Sequence, residues 1–300
     1  MGFMNVLGIS FYFGSRRRSP FVAEFSLKET EAPLLAVRMT LISAFLVFLS
    51  PAWDCRADEP LEDLLSATFR ITDGNHSGTC FFVSGNAVES SRPLQVVLVT
   101  AAHVFEQMSS EECELILRKE SEDKQYSRSV VSIQIRDGDK PRWTRIRDID
   151  IATLLVDLPE DVSVKPFALE QIVGEAKLKD RTVRVGQETW IACFPAKLEA
   201  NEAGWPVLRK GSIASYPLTP VTSNKTILVS YNVFGGDSGA PVAVIVDNRP
   251  LIVGVASGMQ RQTDKSTLPF EERTMHTPLG LSIAVQAHYL RETIELMMEK

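Results

Sequence analysis

From Ser66 onward the chain is cut into short apolar runs by Gly, Asn, Asp and Pro: 67–71, 79–83, 94–100, 115–117, 130–135, 151–156, 189–194, 226–230, 241–246 and 251–256. Runs of three to seven residues between turn formers are too short to bury a helical face, and they read as β-strands. Ten or so strands exceed one small sheet, so the pattern predicts an all-β sandwich or barrel architecture in more than one layer. Only the last stretch, about 284–298, has helical spacing, with Val285, Tyr289, Ile294 and Met297 or Met298 toward one side. It predicts a C-terminal helix docked on the β body, and no further recognition domain is expected after it. No repeat at a period of 20 to 50 residues and no low-complexity linker interrupts this plan.

The remaining totals narrow the function. Three hundred residues with 44% hydrophobic content suit one large domain or two small ones. The net charge is −6. Residues 1–57 hold six Lys/Arg against four Asp/Glu, which leaves −8 on 58–300. With no basic block beyond residue 57, binding of nucleic acid by phosphate neutralisation is not expected. Cys55, Cys80, Cys113 and Cys193 show neither a C-x-x-C pair nor zinc-type spacing, so no metal, no cofactor and no disulfide framework is expected. Cys80 and Cys193 sit in apolar runs and read as small buried hydrophobes.

Residues 1–57 read as a targeting segment. Arg38 precedes the apolar run 41–49, which is too short to span a bilayer, and Cys55-Arg56-Ala57 offers a small-x-Ala cleavage site. Export to a periplasmic or extracellular space is the expectation, with an uncleaved N-terminal membrane anchor as the alternative; no stable membrane span is expected in the mature form. Met39 stands directly before the apolar run and is the expected true start. A lipoprotein signal at Cys55 is disfavoured by Trp53 and Asp54 before it.

The chemistry centres on 235–242, Gly-Gly-Asp-Ser-Gly-Ala-Pro-Val. Glycines on both sides of Ser238 allow positive φ and close approach of a substrate carbonyl, and the N–H groups of Gly236 and Ser238 can converge on one point. A serine becomes a nucleophile only with a base and an orienting acid. His103 follows the buried run 96–102, and Asp150 leads into the apolar run beginning Ile151-Ala152. Taken alone, His103 reads as a structural histidine at a strand end and Asp150 as a turn residue; together with Ser238 they supply the three roles. Asp148 is the rival carboxylate.

By Thr100-Ala101-Ala102-His103, by Asp150 before Ile-Ala, and by Gly236 to Pro241, the chain resembles the trypsin-like (chymotrypsin-fold) serine peptidases, and among them a bacterial, disulfide-poor branch. The order His, Asp, Ser and the separations of 47 and 88 residues match that family. Further likeness lies in 186–195, 210–213 and 252–257. The resemblance implies two six-stranded antiparallel β-barrels, about 64–175 and 176–284, within a peptidase domain 58–300. It implies Ser238 as nucleophile, His103 as general base and then acid, Asp150 as its orienter, and Gly236 and Ser238 as oxyanion donors. The implied partner is a polypeptide substrate.

Departures from the animal digestive pattern carry their own expectations. No cysteine follows His103, and no Ile-Val-Gly-Gly start opens the domain; Arg70-Ile71 is a faint echo too near Cys80 to be a freed N-terminus. Asp237 therefore needs local hydrogen bonds or a nearby basic side chain, and the enzyme is expected to be competent without processing. Asn232 matches the floor of the specificity pocket, and Ser257, Gly258 and Met259 match its wall. Without an acid at Asn232, Lys or Arg preference is not expected; Met259 would favour small or modest apolar side chains, whereas His276, which reads first as a plain surface histidine, would instead favour an acidic one. A non-catalytic binding module of the same fold and an esterase with the same triad are the competing readings.

Overall fold

The computed structural model describes residues 59–84, 94–268 and 271–299. The expected targeting segment, with Met39, Cys55 and the apolar run 41–49, lies outside them. Among the described residues no helix is long and apolar enough to cross a membrane.

A helix α1 of about two turns (Pro60–Ser66), with Pro60 in its first turn beside acidic Glu62 and Asp63, leads into the first sheet. Its strands are β1 (Thr68–Thr72), β2 (Ser77–Ser84), β3 (Leu94–Thr100), β4 (Glu112–Glu120), β5 (Tyr126–Gln134) and, after the small β6 (Arg136–Asp137) and β7 (Lys140–Pro141) pair, β8 (Ala152–Leu158). Helix α2 (Ala102–Gln107) interrupts the series after β3. The spatial order is β5-β4-β1-β2-β3-β8, every pairing antiparallel. The ring closes through the segment after β7: Arg142 donates to the Ile135 carbonyl at 3.0 Å, and Thr144 exchanges both backbone bonds with Thr153 of β8.

After the short helix α3 (Glu175–Lys179) comes the second sheet: β9 (Glu188–Cys193), β10 (Val207–Ser212), β11 (Thr226–Val229), β12 (Pro241–Val246), β13 (Arg249–Leu268) and β14 (Glu271–Gln286), in the order β10-β9-β12-β13-β14-β11. Ile213, just past β10, bridges Val229 of β11 and closes this sheet as well. Two six-stranded antiparallel barrels and the closing helix α4 (Ala287–Met298) make up the all-β fold that the family likeness implies.

Alternation along the central strands explains why they read as unbroken apolar runs. On β2, Cys80 and Phe82 point into the first barrel, whereas Phe81 and Val83 belong to the cluster that continues into the second. On β3, Val96 and Leu98 face inward and Val97 and Val99 outward to that same cluster. A strand buried on both faces loses the polar half of its period-two pattern. The Phe69 and Phe82 rings fill the first barrel at 4.8 Å between centroids, and Phe81 meets Phe167 edge-on at 5.9 Å where the barrels join. Cys80, Cys113 and Cys193 are buried and unpaired, and burial raises each thiol's pKa, that of Cys113 to about 12.

Four elements differ from expectation. The C-terminal helix starts at Ala287, because Ala284, Val285 and Gln286 complete the β13–β14 ladder, and the Gln286 amide donates to the Leu218 and Asn224 carbonyls. The helix buries Ala287, Tyr289, Leu290, Thr293 and Ile294. Strand β10 went unread because Val-Leu-Arg-Lys-Gly-Ser has no apolar run. β13 continues twelve residues past the predicted end at Ala256, and β14 returns beside it.

Candidate active site

Asp150 stands between Ile149 and Ile151, both buried in the core that spans the barrels, so the backbone is pinned on each side while the carboxylate stays half-buried at the rim. His103 lies in the first turn of α2, reached from β3 through Ala101 and Ala102. Its backbone N–H donates to Asp150 Oδ1 at 2.9 Å and its Nδ1 sits 2.7 Å from Asp150 Oδ2. This two-point grip fixes both the position and the tilt of the imidazole. His103 Nε2 then lies 2.9 Å from Ser238 Oγ. Asp148, two residues away, is exposed in the left-handed region at φ +64°, and among the described residues no hydrogen bond or ion pair joins it to His103.

Ser257 adds a third hydrogen bond to Asp150, its Oγ donating to Oδ2 at 2.5 Å. Burial alone would raise the Asp150 pKa, but the hydrogen bonds from His103 and Ser257 outweigh it and hold the carboxyl below its ordinary range. Ser257, expected on the pocket wall, thus has its hydroxyl committed to Asp150.

The loop carrying Ser238 is shaped by its glycines. Gly236 has φ +99°, and a Cβ there would fall 2.3 Å from the Phe194 carbonyl. Gly239 has φ +90°, and its Cβ would fall 2.1 Å from the Thr79 carbonyl. No other residue fits either place. Thr79 of β2 locks the loop to the first barrel: its N–H donates to the Ser238 carbonyl at 2.9 Å and its Oγ1 to the Gly236 carbonyl at 2.7 Å. Within the loop, the N–H groups of Asp237, Gly239 and Ala240 donate to Phe234, Ala256 and Asp237. Those of Gly236 and Ser238 have no acceptor among the described residues, as an oxyanion site requires.

Asp237 is fully buried, and its partner is Arg209 of β10, whose Nη1 lies 2.9 Å from Oδ2; the Phe234 N–H donates to the same oxygen. Burial raises the Asp237 pKa, and the Phe234 N–H, the Cys193 thiol and Arg209 together offset only part of that. The guanidinium is held over the Tyr231 and Phe234 rings at 5.1 and 5.4 Å. Arg209 lies next to the Lys210-Gly211 likeness, and Thr79 begins an apolar run; neither carries a sequence signal for its role, since each acts only through a fold contact with the loop 235–239. Ile71 is buried within β1 and paired on both edges, and among the described residues no hydrogen bond joins it to Asp237.

An open cavity of about 480 Å³ fronts Ser238, lined by His103, Gly236, His76, Gln107 and Lys197 among others. Of the expected pocket residues, Asn232 is exposed, with Gly280 of β14 close enough that a Cβ there would sit 3.4 Å from its Oδ1. Gly258 and Met259 of β13 pair with Ile283 and Ser282, and Met259 is exposed. His276 lies farther out, its Nδ1 2.9 Å from Thr263 Oγ1. Among the described residues no three His, Cys, Asp or Glu side chains are grouped to hold a metal ion.

No curated protein sequence matches the chain. Solved structures that resemble it include an inactive-form crystal structure of a serine-to-alanine mutant of Rv3671c from M. tuberculosis H37Rv, at 13% identity and TM-score 0.43 over 81% of this chain and 93% of that one, and one of the Rv3671c protease, also inactive form, at 14% identity and TM-score 0.43 over 80% and 94%. The family model described as Trypsin matches residues 90–272, more than half of the chain. The protein belongs to the trypsin family and is a trypsin-like serine peptidase.

Proposed function

We propose that the protein is an endopeptidase that cuts polypeptides through an acyl-enzyme formed on Ser238. The unbroken series Ser238 Oγ to His103 Nε2 at 2.9 Å and His103 Nδ1 to Asp150 Oδ2 at 2.7 Å carries this reading. With Nδ1–H donated to Asp150, Nε2 is left as the acceptor that removes the Ser238 proton while Oγ attacks the scissile carbonyl. The carbonyl oxygen takes up negative charge, which the N–H groups of Gly236 and Ser238 stabilise. The imidazolium next to ionised Asp150 then passes its proton to the leaving amine, which frees the C-terminal product. Water, deprotonated by the same Nε2, attacks the acyl-enzyme and releases the N-terminal product, restoring Ser238. Pairing of Asp237 with Arg209 supports a loop that is formed without a new N-terminal ammonium.

An unfolded polypeptide, reduced and alkylated casein for instance, should be cut by the wild type into internal fragments seen by mass spectrometry. Ser238→Ala should leave it intact. Turnover of simple esters with casein untouched would reverse the assignment in favour of an esterase.

A further inference from the structure

Strand β13 offers an edge that leads away from the nucleophile. Up to Ala256 that edge is occupied by β12, and the last bonds are Ala256 N–H to the Ala240 carbonyl and Gly239 N–H to the Ala256 carbonyl, one residue from Ser238. From Gly258 to Leu268 the opposite edge pairs with β14, through register breaks at Ala256/Gly258 and Gln260/Arg261, down to Leu268 against Glu271. On the β12 side no backbone hydrogen bond among the described residues reaches β13 beyond Ala256. Outside the barrel this is a two-stranded ribbon exposed on both faces across 260–267 and 272–279. At strand rise, residues 257–268 extend roughly 35 Å. A lone two-stranded ribbon gains little from its own pairing and presents a row of unmet donors and acceptors to any extended chain.

We infer that this edge is a docking rail for the substrate, on which an extended polypeptide adds as a third, antiparallel strand well beyond the residues flanking the scissile bond. The inference rests on the reading of Ser238 as the nucleophile. β13 runs from the nucleophile to the ribbon tip, so an antiparallel chain runs from tip to nucleophile. The ribbon therefore holds the part of the substrate N-terminal to the cut. Main-chain pairing makes the rail tolerant of side-chain sequence and demands a segment free of structure of its own. The substrate class is thus unfolded or extended polypeptide with about eight or more residues before the cleaved bond.

The test is a peptide series with one common cleavage site, extended from two to twelve residues on its N-terminal side, assayed for kcat/KM with the wild type. In parallel, binding of each fluorescent peptide to Ser238→Ala is read by anisotropy. Affinity should keep rising past four residues. Backbone N-methylation should weaken binding roughly threefold to tenfold at every second residue, because alternate N–H groups face the rail. Deleting 262–277 and closing Arg261 to Pro278 with Asn-Gly should bring long peptides down to the level of short ones while leaving the short ones unchanged. Flat affinity beyond four residues, N-methyl effects confined to the residues next to the cut, or equal losses for short and long peptides on deletion would overturn the rail. A concentration-dependent dimer lost on deletion would overturn it too, by giving the edge to a second copy of the chain. The N-methyl series needs no change in the ribbon, so a deletion that fails to fold does not shield the inference. If the peptides bind with the expected alternation but none is cut by the wild type, the peptidase reading fails and the rail stands.

Discussion

Asp150 is gripped by His103 and Ser257, while Asp148 lies exposed in a left-handed turn with no such partner. Asp150→Asn leaves the imidazole free to take the wrong tautomer, which in a serine-peptidase triad costs about 10⁴-fold in kcat. Asp148→Asn should change kcat by less than about twofold; a larger loss there than at Asp150 would contradict the assignment. The lowered pKa of Asp150 also has a sign. Its carboxyl ionises more readily folded than unfolded, so its contribution to stability is present above the ordinary value of 3.8 and fades as pH falls through the lower folded value. Denaturation of the wild type and Asp150→Asn at successive pH values should show their difference shrink only on the acid side of that point. Asp150 was legible because an acid that opens an apolar strand must sit at a buried rim. The hydroxyl of Ser257 and the role of Arg209 were not, because each depends on a partner more than 25 residues distant in sequence.

Among elements, one clasp joins the first barrel to what precedes and follows it. Arg118 of β4 is buried, lies 4.1 Å over both the Phe69 and Trp205 rings, and donates to the carbonyls of Leu65, Ser66, Thr68 and Gly204. Burial lowers its pKa to about 9, still a cation at neutral pH. Arg118→Met would strand those acceptors and is expected to cost roughly 3 kcal/mol, read as a lower urea midpoint at unchanged slope. Arg118→Lys, with three donors and no flat face, should fall between. A methionine variant as stable as the wild type would contradict the clasp. Strands β3 and β12 were legible to the residue because both faces are buried. The outer halves of β13 and β14 were not, since a ribbon wet on both faces has no apolar period to read, and only the backbone ladder reveals it.

On the scale of the whole molecule, the two barrels bring His103 and Asp150 from the first and Ser238 from the second to one rim, and Thr79 and Arg209 tie the loop between them. The order and spacing of three residues made this arrangement legible; what holds the loop was not, because a buried acid can be met by any cation the fold delivers. Arg209 fills the place beside Asp237, and Ile71 is sealed within β1, so cutting at Arg70-Ile71 would destroy a strand and give no new partner to Asp237. The direct measurement is acylation of the unprocessed full chain, its N-terminus blocked, by a fluorophosphonate, with the modified residue mapped by mass spectrometry. The account predicts a single adduct on Ser238 without prior cleavage, none in Ser238→Ala, and acylation slowed on the order of 10²- to 10³-fold in Arg209→Met if the oxyanion donors lose their placement. An adduct that forms only after cleavage near Arg70, or one that persists in Ser238→Ala, would contradict it.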